Sequence, residues 1–212
     1  MGDSNAAILV GTFRQLAIDN NFTLSSTTWP GCPWQVGLVW VSDSDAALNA
    51  CMGRRERWYE GIIPALAPDV IIAAHVPRDE KSSTAQGWAR ASRNPAASVD
   101  EATAESLDLL RAKDRSIVIL EPLPYPLFEP NECLSGALTV GECVYRAPER
   151  PLPTERVYRA LTERYADVWS VDYDDVACPY LPICIPAIDG TQVFDNSTHL
   201  DSAWLMTHRA EI

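Results

Sequence analysis

Two continuous apolar runs constrain the fold of this chain more than anything else in it. They are Val70-Ile71-Ile72-Ala73-Ala74 and Ser116-Ile117-Val118-Ile119-Leu120. Neither alternates polar with apolar residues, which is the pattern of strands covered on both faces, as in a parallel sheet. Helical patterns flank them. Ala6, Ile8, Leu9, Phe13, Leu16 and Ala17 recur at helical spacing and predict a helix from Ser4 to about Asn20. A long amphipathic stretch runs from Asp43 to about Leu66, softened by Gly53 and Gly61. Ser98-Val99-Asp100-Glu101 reads as a capping box that starts a helix to about Lys113. Thr154 is the expected cap of a helix to about Ala166, Val168 to Tyr173 reads as a further strand, and a last helix begins just past His199. Phe22 to Ser26 reads as a short strand. Alternating strands and helices of this length predict an α/β fold, with helices on both faces of a central parallel sheet.

At 212 residues the expectation is one domain, 1–212, with a single large core. The net charge of −12 repels nucleic acid and anionic membrane, and no Lys/Arg run interrupts it, so no nucleic-acid partner is expected. No apolar run reaches the ~18–20 residues that cross a bilayer. Asp172-Tyr173-Asp174-Asp175 lacks the glycine and distal Glu of an EF-hand loop and reads as a solvated loop. The six cysteines fall as three sequence-local pairs, Cys32 and Cys51, Cys133 and Cys143, Cys178 and Cys184. Six cysteines allow many pairings and the sequence alone selects none. Each local pair brackets a loop rich in Pro or Gly, where closure costs little entropy. Zinc lacks support, with no Cys-x-x-Cys knuckle or nearby histidine. Disulfides imply an oxidising compartment.

Chemistry is suggested by the two ends of the chain. Gly2-Asp3-Ser4-Asn5 opens it, and Asp195-Asn196-Ser197-Thr198-His199-Leu200 stands near its close. The order Ser, acid, His supplies what an activated hydroxyl needs. A histidine removes its proton, and an acceptor holds the ring in one tautomer. In a parallel α/β fold the working residues sit on loops at the carboxyl ends of the strands.

These blocks, with Cys32-Pro33, the Pro68–Ala74 segment, Glu121-Pro122-Leu123-Pro124 and the later cysteines, resemble the SGNH (GDSL-like) hydrolases. The nearest likeness is to the extracytoplasmic SGNH domain fused to bacterial acyltransferase-3 membrane proteins, which O-acylate cell-surface glycans. The resemblance implies a three-layer α/β/α, flavodoxin-like fold. It makes Ser4 the nucleophile and His199 the general base, with the Ser4 backbone N–H as an oxyanion donor. It implies an acyl donor and a glycan acceptor as partners, a membrane domain in the same full-length protein, an extracytoplasmic, membrane-tethered location, and no metal or organic cofactor.

Three departures accompany it. The family's aspartate usually stands three residues before the histidine. That place is Asn196 here, and Asp195 stands four before, so the acid is expected to be Asp195, re-aimed by a one-residue bulge, with Asn196 as alternative. The block that usually carries an oxyanion asparagine reads His75-Val76-Pro77-Arg78; His75 is expected to be structural, with His75 or Arg78 the other candidate donors. Only Met1 precedes Gly2, so the first strand is expected to be missing and the chain to be a fragment of a longer protein. Of the seven tryptophans, Trp29, Trp34 and Trp88 are candidates to line a glycan groove, while Trp58 and Trp204 are expected in the core. His208 is expected at the surface. The expected activity is serine-dependent acyl transfer or ester hydrolysis. A catalytically silent glycan-binding module is the rival.

Overall fold

The computed structural model describes residues 1–40, 44–76, 88–90 and 99–212. The chain divides into two compact units. The first comprises Met1–Ala6, Thr27–Pro122 and Pro151–Val171; the second comprises Ala7–Ser26, Leu123–Arg150 and Asp172–Ile212. The N-terminal helix Ser4–Asn20 contributes its first turn to the former and its remainder to the latter.

The two apolar runs form the parallel sheet of the first unit. Strands Val70–Ala73, Ser116–Leu120 and Val168–Val171 pair in that order, with Val70 opposite Ser116 and Ile117 opposite Val168. Ile71, Ala73, Ile117 and Ile119 point to one face, because successive strand residues alternate sides. They pack there against Leu107 and Leu110 of helix Val99–Leu110, Tyr158 and Leu161 of helix Pro153–Thr162, and Ile63. Glu155 sits at the third position of the latter helix, and its carboxylate accepts from the Leu152 amide at 2.6 Å. The helix therefore starts at Pro153, whose fixed φ suits a first position. Thr154 lies inside it and is not the cap, and the helix stops at Thr162. Ser98, the other expected cap, lies outside the described residues.

The stretch expected from Asp43 to Leu66 is helical from Asp45, capped by Ser44, which accepts from the Ala47 amide. It is not one regular helix. Arg57–Ile62 widens into a π turn, and Ile63–Leu66 resumes the α form. Pro64 supplies the reason, since a proline inside a helix has no N–H to donate and crowds the carbonyl four residues back.

Met1 and Gly2 continue this sheet. Gly2 makes parallel bridges to Ala74 on one side and Thr28 on the other. The Ala74 amide donates to the Met1 carbonyl at 3.1 Å and the Trp29 amide to the Gly2 carbonyl at 3.0 Å. The sheet position expected to be empty thus carries two residues. Phe22–Ser26 forms no strand; Phe22 and Leu24 are exposed. A β-prone run becomes a strand only where a ladder partner pairs with it.

Apart from the remainder of the N-terminal helix, the second unit is built from short elements. Helix Pro130–Gly136 and a 3₁₀ turn at Val140–Cys143 are tied by the Cys133–Cys143 disulfide. Strand Tyr145–Arg146 pairs antiparallel with Ile183–Cys184, and Cys184 is bonded to Cys178. With Cys32–Cys51 in the first unit, all three sequence-local pairs are formed. The acidic run expected to be solvated is partly buried. Asp174 starts a short helix and takes two hydrogen bonds from Arg150, at 2.7 and 2.8 Å. The last helix, Ser202–Thr207, is capped by Asp201, which accepts from the Ala203 and Trp204 amides. Among the described residues no helix is long and apolar enough to cross a membrane.

Candidate active site

Gly2 explains why the turn before Ser4 is built as it is. Its φ is +142°, and a Cβ there would stand 1.8 Å from the Ala74 carbonyl oxygen. Only a residue without a side chain lets the backbone approach the Val70–Ala73 strand this closely. Asp3 follows, completely buried. One carboxylate oxygen accepts from the Asn5 amide at 2.8 Å and the other from the Val76 amide at 3.0 Å. Asp3 thereby caps the N-terminal helix and pins the loop after that strand to it. Sequence reasoning gave Asp3 no role; an Asp immediately before an apolar-periodic helix is the cap signal that was available. Ser4 is the first residue of the helix, where backbone N–H groups have no partner within the helix and the dipole favours negative charge.

His75 lies on the pinned loop and is 3 % exposed. Its Nδ1 faces the Val76 carbonyl at 2.7 Å, so Nδ1 carries the proton and Nε2 the lone pair. Nε2 meets the Tyr158 hydroxyl and, at 3.1 Å, the Gln35 amide nitrogen, which also donates to Tyr158 at 2.9 Å. This is a structural histidine in a buried polar cluster. Arg78 lies outside the described residues. Trp34 is fully buried and cannot line a groove, while Trp29 is half-buried with the Arg54 guanidinium 4.3 Å above its ring. The side chain of Trp88 is outside the described residues. Trp58 and Trp204 are in the core as expected. His208 is half-buried rather than fully exposed, stacked 3.8 Å from Trp204.

In the second unit, strands Phe194–Asn196 and His199–Leu200 form a tight hairpin. Phe194 is opposite Leu200 and Asn196 opposite His199, so the expected one-residue bulge is present and Asp195 is its extra residue. The bulge brings Asn196 to the ring. Asn196 Oδ1 is 2.9 Å from His199 Nδ1, and it also accepts from the Thr198 amide at 3.0 Å and the Thr198 hydroxyl at 3.1 Å. The Asp195 carboxylate instead accepts from Asn196 Nδ2 at 3.2 Å. A carbonyl oxygen only accepts, so His199 Nδ1 carries the proton in this arrangement and Nε2 is the basic nitrogen.

Residues 129–131 support the hairpin. Glu129 accepts from the Ser197 hydroxyl and from its amide at 3.3 Å, and Asn131 donates to the Asp195 carbonyl. Gln192 in turn donates to Asn131 and to the Phe194 carbonyl. Nothing in the Pro-rich sequence around Glu129 signals this, because the partners are more than sixty residues away.

A sequence model of the family described as "SGNH domain (fused to AT3 domains)" matches residues 1–204. No curated protein matches the sequence. Among solved structures, the chain is similar to the lipopolysaccharide acetyltransferase periplasmic domain of Salmonella ser. Paratyphi A, with a TM-score of 0.66 and 12 % identity. The match covers 100 % of this chain and 79 % of that one. The likeness carries the expected α/β fold with its central parallel sheet. Membership of an SGNH family supports acyl-transfer or ester chemistry as a general kind, and the three disulfides favour an oxidising, extracytoplasmic setting. The chain belongs to the SGNH domain family whose members are fused to AT3 domains.

Proposed function

We propose that this chain is the extracytoplasmic acyl-transfer domain of a longer, membrane-anchored protein, and that it moves acyl groups on cell-surface glycans through an acyl-serine. The observation that carries the reading is the contact of Asn196 Oδ1 with His199 Nδ1 at 2.9 Å, from which Nε2 follows as the basic nitrogen. Ser4 Oγ attacks the acyl carbonyl as His199 Nε2 takes its proton. The negative charge on the former carbonyl oxygen is stabilised by the Ser4 backbone N–H at the helix start. The intermediate collapses to acyl-Ser4, and His199 returns the proton to the leaving alcohol. A sugar hydroxyl then attacks the acyl-serine, its proton passing to His199, and Ser4 leaves with a proton restored. Water in place of the sugar makes the same site an esterase. The AT3 membrane domain is the proposed neighbour in the full-length protein. No metal or organic cofactor takes part in these steps.

The test is covalent labelling by a serine-reactive fluorophosphonate. Labelling of the native protein that is abolished by Ser4→Ala and by His199→Ala is the expected result. Acetyl transfer to an oligosaccharide, measured against release of free acetate, then separates transferase from esterase. The rival reading, a silent glycan-binding module, is favoured by one observation: His75, in the place of the usual oxyanion asparagine, has its ring turned to Val76, Tyr158 and Gln35. Removing one such donor typically costs about 3–4 kcal/mol of transition-state stabilisation. Saccharide binding without any Ser4 labelling would decide for that module.

A further inference from the structure

Asn196 is neutral, and a neutral amide can orient His199 without supplying the charge that stabilises an imidazolium. One residue earlier stands a carboxylate. We propose that Asp195 is a positioning residue that acts on His199 through the side-chain amide of Asn196. This proposal rests on the catalytic role given to His199 above and assigns the charge that its partner lacks.

The orientation of the Asn196 amide is decided by its neighbours. The Thr198 backbone N–H can only donate, so the Asn196 atom 3.0 Å from it is the oxygen. The atom 3.2 Å from the Asp195 carboxylate is then the NH₂ group, which donates to it. The same oxygen meets His199 Nδ1 at 2.9 Å. Three groups therefore form a line: carboxylate, amide, imidazole. A carboxylate that accepts from the amide nitrogen draws electron density toward the amide oxygen and strengthens the bond which that oxygen accepts. The amide can do this only while it keeps that orientation, and both Thr198 and Asp195 oppose a flip.

The backbone around Asp195 is held in place to match. Its carbonyl accepts from Asn131, and Glu129 holds Ser197 at the hairpin turn. The bulge is what makes the line possible. In a regular two-residue alternation Asp195 and Asn196 would point to opposite faces, whereas the bulge lets their side chains meet. An exposed Asp195 also predicts that its removal leaves global stability nearly unchanged.

The experiment uses the whole chain with ¹⁵N-labelled histidine. The tautomer and pH midpoint of His199 are read by NMR, and the fluorophosphonate labelling rate is followed against pH. Asp195→Asn keeps an acceptor and removes the charge. It is expected to lower the midpoint by about half a unit and to slow labelling above that midpoint about two- to threefold. Asp195→Ala removes the acceptor too and is expected to populate the second tautomer. Asn196→Asp places a carboxylate directly on Nδ1. In that background Asp195→Asn is expected to change neither readout by more than about 1.5-fold, because the route through the amide is gone. An Asp195→Asn effect of equal size in both backgrounds, or an unmoved His199 midpoint in the native background, overturns the proposal. The NMR readout requires no turnover. A protein that never labels, yet whose His199 midpoint moves with Asp195→Asn, keeps this coupling and loses the acyl-transfer reading.

Discussion

A single missing side chain sets the geometry of the turn that leads into Ser4. Gly2→Ala would place a methyl group 1.8 Å from the Ala74 carbonyl oxygen at a φ of +142°, and neither backbone segment is a flexible side-chain end that can yield. The expected cost is about 3 kcal/mol or more, seen as a lowered urea midpoint; a shift worth less than about 1 kcal/mol would show that the close approach is not kept in solution. Asp3→Ala strands the buried Val76 and Asn5 amides, each worth roughly 1–3 kcal/mol when left unpaired. Asp3→Asn, which retains one acceptor oxygen, is expected to lose about half as much as the alanine variant. Glycine and aspartate in that order were legible as a nucleophile motif. Their burial was not, because it depends on a loop more than seventy residues away. The same holds for Asn196. Its position three residues before His199 marked it as a candidate partner, but whether it or Asp195 reaches the ring depends on where the bulge falls.

Elements follow the sequence closely where their partners are local or continuous. The two apolar runs became adjacent parallel strands, since a run with no polar face has nowhere to go but the middle of a covered sheet. The N-terminal helix spans Ser4–Asn20, as its spacing predicts. Phe22–Ser26 shows the limit, because strand propensity without a ladder partner produced no strand. The hairpin that carries His199 is another case, since its brace comes from Glu129 and Asn131. Glu129→Ala is expected to leave the global unfolding free energy within about 0.5 kcal/mol, as the residue is exposed. It should raise the hydrogen-exchange rate of the Ser197 amide at least several-fold, reporting local opening. Unchanged exchange at Ser197 would mean that the hairpin holds its shape alone.

For the molecule as a whole, the three disulfides offer a graded test. They close loops with sequence separations of 19, 10 and 6 residues. If each acts mainly by restricting the unfolded chain, replacing Cys32 and Cys51 by Ala should cost about 3 kcal/mol, and replacing Cys178 and Cys184 about 2 kcal/mol. Cys32 and Cys51 are also buried beside Trp58, which adds a packing loss to that pair. A reversed order in the denaturation midpoints would rule out loop entropy as the main term. The sequence by itself determined the α/β class and offered the local cysteine pairs as the short-loop option, and its resemblance to the SGNH hydrolases marked Ser4, Asp195, Asn196 and His199 as candidates. The fold class and the cysteine option rest on pattern and spacing along the chain, which need no knowledge of distant contacts. Tertiary structure alone decided that Asp3 is a buried brace, that His75 is occupied within the core, and that Asn196 rather than Asp195 meets the imidazole. Each of those is a hydrogen bond whose geometry is set by how strands and loops pair in space, and pairing of that kind leaves no periodic trace in the order of the residues.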